Sequence, residues 1–142
     1  MSAYKKIETK FKNLKSLIAA LDEIVGKDGY TVAVNPKANT LAMYGYRDDK
    51  RPETAAINLP RKTVNRFSGG ASNDMGFYWD EASKSYGMIV SDFDSSKSAG
   101  LVNKIKQQYA FNELTRQAKM KGYMVSKEAD QSGVLRLKLK KY

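Results

Sequence analysis

Between residues 14 and 25, Leu14, Leu17, Ile18, Leu21, Ile24 and Val25 recur at the three- and four-residue intervals that line one face of an α-helix. Gly26 follows, and Lys27-Asp28-Gly29 reads as a turn, so the helix is expected to stop there. Beyond it the pattern is that of short strands. Tyr30 to Val34 and Thr40 to Tyr46 flank the turn formers Asn35-Pro36-Lys37-Ala38-Asn39, and Thr54 to Leu59 reads as a third strand closed by Pro60. Residues 61–71 read as a polar loop ending in Gly69-Gly70 and Ala71. Met75 to Trp79 and Tyr86 to Ser91 then form the arms of a hairpin. On such a strand Phe77 and Trp79 share a face, expected to be core, which leaves Tyr78 as the exposed ring. A second helix is expected from the cap candidates Asp94, Ser95 and Ser96 to Gly122, with Leu101, Ile105, Tyr109, Leu114 and Ala118 as its apolar stripe. Two strands close the chain, Tyr123 to Ser126 and Val134 to Lys140, joined through Asp130-Gln131-Ser132-Gly133.

The pattern also repeats. Tyr4, Ile7 and Phe11 share their spacing with Tyr86, Ile89 and Phe93, and each trio precedes a helix. Gly29-Tyr30-Thr31-Val32 likewise parallels Gly122-Tyr123-Met124-Val125. The expectation is one α+β domain over residues 1–142, with antiparallel sheets and two helices. It would contain two strand–helix–strand–strand units, residues 1–60 and 72–142, packed as pseudo-twofold halves and joined by the basic loop 61–71.

Composition narrows what such a domain does. At 142 residues and 42% hydrophobic content it belongs to the globular class. The absence of cysteine excludes disulfides, thiolate metal ligands and thiol nucleophiles; the absence of histidine removes the commonest general base and zinc ligand. No phosphate-cradling glycine loop or dinucleotide fingerprint is present. Asp92 and Asp94 precede a helix, where two acids more often cap it than hold a metal. The expectation is a non-enzymatic protein without metal or cofactor, the alternative being carboxylate chemistry with magnesium. No apolar run approaches the roughly 18 residues that span a bilayer, and the start has no apolar signal core. The expected location is the cytoplasm, without membrane insertion.

The 25 Lys and Arg residues against 15 Asp and Glu give a net charge of +10, which draws polyanions. On the last strand Arg136, Lys138 and Lys140 alternate with Leu135, Leu137 and Leu139, so one face is expected to be cationic and the other apolar. In the first unit Leu41, Met43 and Gly45 take the inward positions, and Ala42, Tyr44 and Tyr46 the outward ones. Further cations lie at Lys5 and Lys6, at Arg47, Lys50 and Arg51, and at Arg61, Lys62 and Arg66, the last beside Phe67. Cations for phosphates and exposed rings for unpaired bases suit RNA or single-stranded nucleic acid bound with little sequence preference. The plainer alternatives are lysines that keep an edge strand from aggregating and tyrosines packed within a sheet. The competing partner is an acidic protein met by an adaptor surface, and an exposed sheet edge would also suit a homodimer.

Asp74-Met75-Gly76-Phe77-Tyr78-Trp79, Tyr86 and Asp92 resemble the hypothetical chloroplast reading frames, a family also found in cyanobacteria and some phages and grouped as a domain of unknown function. Gln108-Tyr109-Ala110, Ala118, Gly122-Tyr123, Val125, Gly133 and the leucine alternation extend the likeness, as do Ile7 and the Leu14 to Leu21 helix. These are fold markers, so the resemblance implies a fold and no activity. The basic stretch from Arg47 to Gly70 departs from it. In architecture the expected units are similar to Whirly and purine-rich-element-binding proteins, which bind single strands across their sheets. Size and charge resemble small RNA-binding proteins of large phages, which implies the host cytoplasm for such an origin.

Overall fold

The computed structural model describes residues 3–129, 132 and 135–141. The chain begins with β1 (Tyr4–Phe11), which leads into α1 (Leu14–Val25). Asn13 caps this helix by accepting the Ser16 N–H at 3.1 Å, and Gly26 ends it at a φ of 80°. Leu17, Leu21 and Val25 are buried, as their spacing predicts.

A 3-10 turn (Lys27–Gly29) separates α1 from β2 (Thr31–Val32), which is shorter than the pattern suggests. Next come β3 (Leu41–Tyr44), β4 (Lys50–Ala55) and β5 (Ile57–Leu59). The predicted strand over Thr54 to Leu59 is thus broken at Ala56. The Ala56 N–H donates to the Phe77 carbonyl, and its own carbonyl accepts the Ala33 N–H, both at 2.8 Å. The chain changes sheets at this point, and two fully buried alanines, Ala55 and Ala56, leave room for the corner.

Residues 61–68 form a helix, α2 (Arg61–Ser68), where a basic loop over 61–71 is expected. Pro60 enters it in extended conformation, and Thr63 and Val64 turn one face into the core with half-buried Phe67 beside it. Gly69 closes it in the left-handed conformation at φ 92°. The hairpin β6 (Met75–Asp80) and β7 (Ser85–Ser91) follows as predicted. The second helix divides into α3 (Asp92–Lys97) and α4 (Ala99–Met120). Ser91 caps α3 by accepting the Asp94 N–H, so Asp94 lies inside the helix rather than before it. β8 (Tyr123–Ala129) and β9 (Leu135–Lys141) complete the chain. The expected connection through Asp130 to Gly133 lies outside the described residues except for Ser132, and so do the side chains of Leu135 and Leu137.

Five strands form one antiparallel sheet in the order β1-β7-β6-β5-β2, while β3-β4 and β8-β9 are separate two-stranded sheets. The order strand–helix–strand–strand does occur twice, with β1 beside β7. The pairing is not repeated, because β8 bonds to β9 whereas β2 bonds to β5 and β3 to β4. Phe77, Trp79, Tyr86, Met88 and Val90 project from one face of the large sheet against Leu17, Leu21, Leu101 and Ile105 of α1 and α4. The other face meets the β3-β4 hairpin through Met43, Ala55 and Ile89. Tyr78 lies on that face half-buried, over Gly87, instead of standing free. Leu114 leaves the predicted α4 stripe and is 54% exposed. Its five-residue step from Tyr109 turns it roughly 140° around the helix.

The hairpin sits so close that a Cβ at Gly76 would come within 2.9 Å of both Ala55 Cβ and Met43 Sδ. Gly76→Ala is expected to lower stability by about 1–3 kcal/mol through overpacking. Gly100→Ala, in α4 with nothing within 4 Å, should instead raise it by roughly 0.4–1 kcal/mol. Urea denaturation of the two variants checks both signs.

Candidate nucleic-acid interface

The candidate cations fall in two groups, one on β1 and around the β3–α2 region and one on the β8-β9 hairpin. At one end of β1 the Tyr4 hydroxyl donates to the carbonyls of Asp74 (2.7 Å) and Tyr44 (3.3 Å). At the other, the Asn13 N–H donates to the Tyr109 hydroxyl at 2.9 Å, and Lys127 of β8 donates to Gln108 Oε1 of α4 at 3.0 Å. A strand of this length holds the two ends roughly 25 Å apart.

The first end is organised by Ser72-Asn73-Asp74, all three buried. The Asp74 carboxylate accepts the Tyr44 N–H (3.0 Å) and the Asn58 amide (3.2 Å) at Oδ2, and the Arg61 N–H (2.8 Å) at Oδ1. One side chain therefore joins β3, β5 and the start of α2. Burial pushes its carboxyl above the ordinary 3.8, and the hydrogen bonds from Tyr44, Asn58 and Arg61 only partly offset this. Behind it the buried Asp94 accepts Ser72 Oγ (2.7 Å), Ser98 Oγ (2.7 Å), Ser91 Oγ (3.0 Å) and the Asn73 N–H (2.9 Å). Asn73 in turn accepts the Tyr46 N–H at 3.0 Å.

A cleft of about 450 Å³ opens over this network, lined by Tyr44, Asp48, Asn58, Pro60, Arg61, Lys62, Asn65 and Asp74. Tyr44 is exposed at its rim, as the outward reading has it, and Tyr46 is half-buried. Arg47 is exposed, its guanidinium 5.2 Å from the Tyr46 ring centre.

Several predicted contact residues serve the fold. The Arg51 side chain is 9% exposed, bonded to Asp49 at 2.7 Å and 5.4 Å from the Tyr4 ring centre. Arg61 donates to Asp48 (3.0 Å) and to the Tyr46 carbonyl (3.0 Å). Arg66 donates to the Val25 carbonyl at 3.0 Å, satisfying the last turn of α1. Phe67, expected as a loop aromatic, packs against the core, because α2 turns it inward, and Lys104 lies 5.7 Å from its ring centre. Lys62 is exposed. On β1, Lys5 is exposed and Lys6 rests 5.0 Å from the centre of the Tyr78 ring.

At the other end, Arg136, Lys138 and Lys140 are exposed on one face of β9, as the alternation predicts. Across the pair they face Glu128, Ser126 and Met124 respectively. Lys138 approaches Glu128 at 3.6 Å, and Met124 is 48% exposed. Leu139 is also 48% exposed, so the leucine face is incompletely covered there. The hairpin rests on α4 and α1 through Lys127, whose ammonium lies 5.4 Å from the Phe111 ring centre and 3.8 Å from Glu23.

Sequence reasoning missed Asn58, Asn65, Asp74 and the internal position of Asp94. A signal for α2 was present: Pro60, then Val64 and Phe67 three apart, then Gly69. Among the described residues no group of three or more acidic side chains is placed to hold a metal, and no helix is long and apolar enough to cross a membrane.

Residues 29–138 match the family described as "Protein of unknown function (DUF1257)". This is most of the chain, and the protein belongs to that family. No curated protein and no solved structure matches the chain.

Because the Asp74 carboxyl is raised, its contribution favours the folded state at acid pH. That contribution is complete below 3.8 and is lost as pH rises through the higher folded value. The stability difference between the parent chain and Asp74→Asn should therefore shrink with rising pH across a window that opens near 3.8. Urea denaturation at stepped pH measures it; a difference that is flat or grows contradicts the assignment.

Proposed function

We propose that the protein is a non-enzymatic binder of RNA or single-stranded nucleic acid, with little sequence preference, whose main contact surface is the cationic face of β8 and β9. One observation carries this reading. Residues 119–141 hold seven Lys and Arg against two acidic residues, which is half of the net +10 in a sixth of the chain. Arg136, Lys138 and Lys140 lie side by side and exposed there.

Alternate residues on a strand are about 6.8 Å apart, a spacing suited to successive phosphates of an extended single strand. Lysines meet phosphates as mobile point charges and read no base edge, which favours tolerance over specificity. Met124 offers an apolar surface beside them for an unstacked base.

Fluorescence anisotropy with a labelled oligonucleotide at several salt concentrations tests the proposal. Affinity should fall steeply with salt, and Lys138→Glu combined with Lys140→Glu should lower the log–log slope by about 1.4 for a single strand. Affinity that is absent, or flat across salt, overturns the reading. Displacement of the strand by polyglutamate at matched charge would point instead to an acidic protein partner.

A further inference from the structure

The cleft beside the start of β1 is a surface of a different kind. Its volume of about 450 Å³ falls within the roughly 300–1,000 Å³ of small-molecule sites. It combines an exposed ring, Tyr44, with two amide side chains, Asn58 and Asn65, and a cationic rim at Arg61 and Lys62. Asn58 gives its amide N–H to Asp74, and its buried oxygen has no donor among the described residues. Both acidic residues of the cleft are engaged, Asp74 by three donors and Asp48 by Arg61. Lys62, in contrast, extends into solvent from the first turn of α2, which holds no acidic residue. A cation is poorly placed at that positive end of the helix dipole unless an anion shares the site.

We infer that this cleft holds one nucleotide, its base against Tyr44 and its phosphate beside Lys62 at the start of α2. Asn65, whose oxygen accepts the Ser72 N–H at 2.8 Å, keeps its amide NH2 for the base, and Asn58 lines the wall beneath it. This inference rests on the proposed nucleic-acid binding and assigns to one unit of the strand a pocket that the β8-β9 surface does not provide.

The test uses the full chain titrated with adenosine and guanosine 5′-monophosphates and with inorganic phosphate, followed by amide chemical shifts. The mononucleotides should shift residues 44, 58 and 61–65, and inorganic phosphate should bind roughly tenfold more weakly for want of stacking. Tyr44→Ala should weaken mononucleotide binding roughly tenfold, with Tyr44→Phe retaining it; Lys62→Gln should weaken it severalfold. The side chains of Tyr44 and Lys62 are exposed, so the variants test binding with the fold intact. The Lys138→Glu and Lys140→Glu pair should weaken the oligonucleotide and leave the mononucleotide bound. Shifts confined to the hairpin, or phosphate binding as tightly as the mononucleotides, overturn the inference. Mononucleotide binding without oligonucleotide binding would overturn the proposed function and keep the cleft. The reverse result would keep the function and discard the cleft.

Discussion

The segment Ser72-Asn73-Asp74 is held by two carboxylates, and most of what could bind anything at that end of the molecule depends on it. Asp94 grips it from behind through Ser72 and the Asn73 N–H. Asp74, its last residue, reaches forward to β3, β5 and the start of α2. A buried acceptor deprived of its donors, or donors deprived of their acceptor, costs on the order of 1–3 kcal/mol per group. Several such groups meet here, so the network has one low-energy arrangement. The large sheet could form without it, but the cleft could not. The aspartate that begins the family-like stretch is thus explained by backbone accounting, with no chemistry required of it.

The same network explains which parts of the fold were legible in the sequence. α1 buries one continuous face and the β6-β7 hairpin nearly all of both, so local apolar pattern reveals them. α2 is eight residues long and polar in composition, and its first N–H is satisfied by a carboxylate thirteen positions later. No local pattern contains that partner. The two units, alike in element order, differ in strand pairing for a related reason. The spacing shared by Tyr4-Ile7-Phe11 and Tyr86-Ile89-Phe93 does not mark equivalent strands, because Phe93 lies in α3, while β1 and β7 pair with each other. The strands after each helix find their partners through long-range pairing. Ala56 carries the first unit into the central sheet, while β8 and β9 pair only with each other among the described strands.

Charge was legible as a total and not as a distribution of roles. Arg51, Arg61 and Arg66 looked like surface cations, yet each bonds a carboxylate or a backbone carbonyl, the use for which a planar guanidinium with several donors is suited. Lys62, Lys138 and Lys140 remain exposed. In this chain several arginines brace the structure while lysines present much of the open positive surface. A count of +10 cannot separate the two.

The separation of the two candidate surfaces has an energetic consequence if both engage one strand. Neither a row of solvated lysines nor a single-nucleotide cleft binds tightly alone, since exposed ion pairs contribute little each. Joined by one flexible polymer, the second contact becomes intramolecular, and its effective concentration is set by the length of strand that must bridge the gap between them. Between the two ends β1 presents exposed Lys5, Lys6 and Lys10 against one exposed acid, Glu8, a net positive charge that lowers the electrostatic cost of laying a polyanion along that edge. Affinity should therefore rise sharply once an oligonucleotide is long enough to reach both ends and change little with further length. A surface of uniformly scattered cations would instead give a gradual increase with every added phosphate. The length dependence thus separates a two-ended arrangement from a diffuse one, which total charge and salt dependence cannot do.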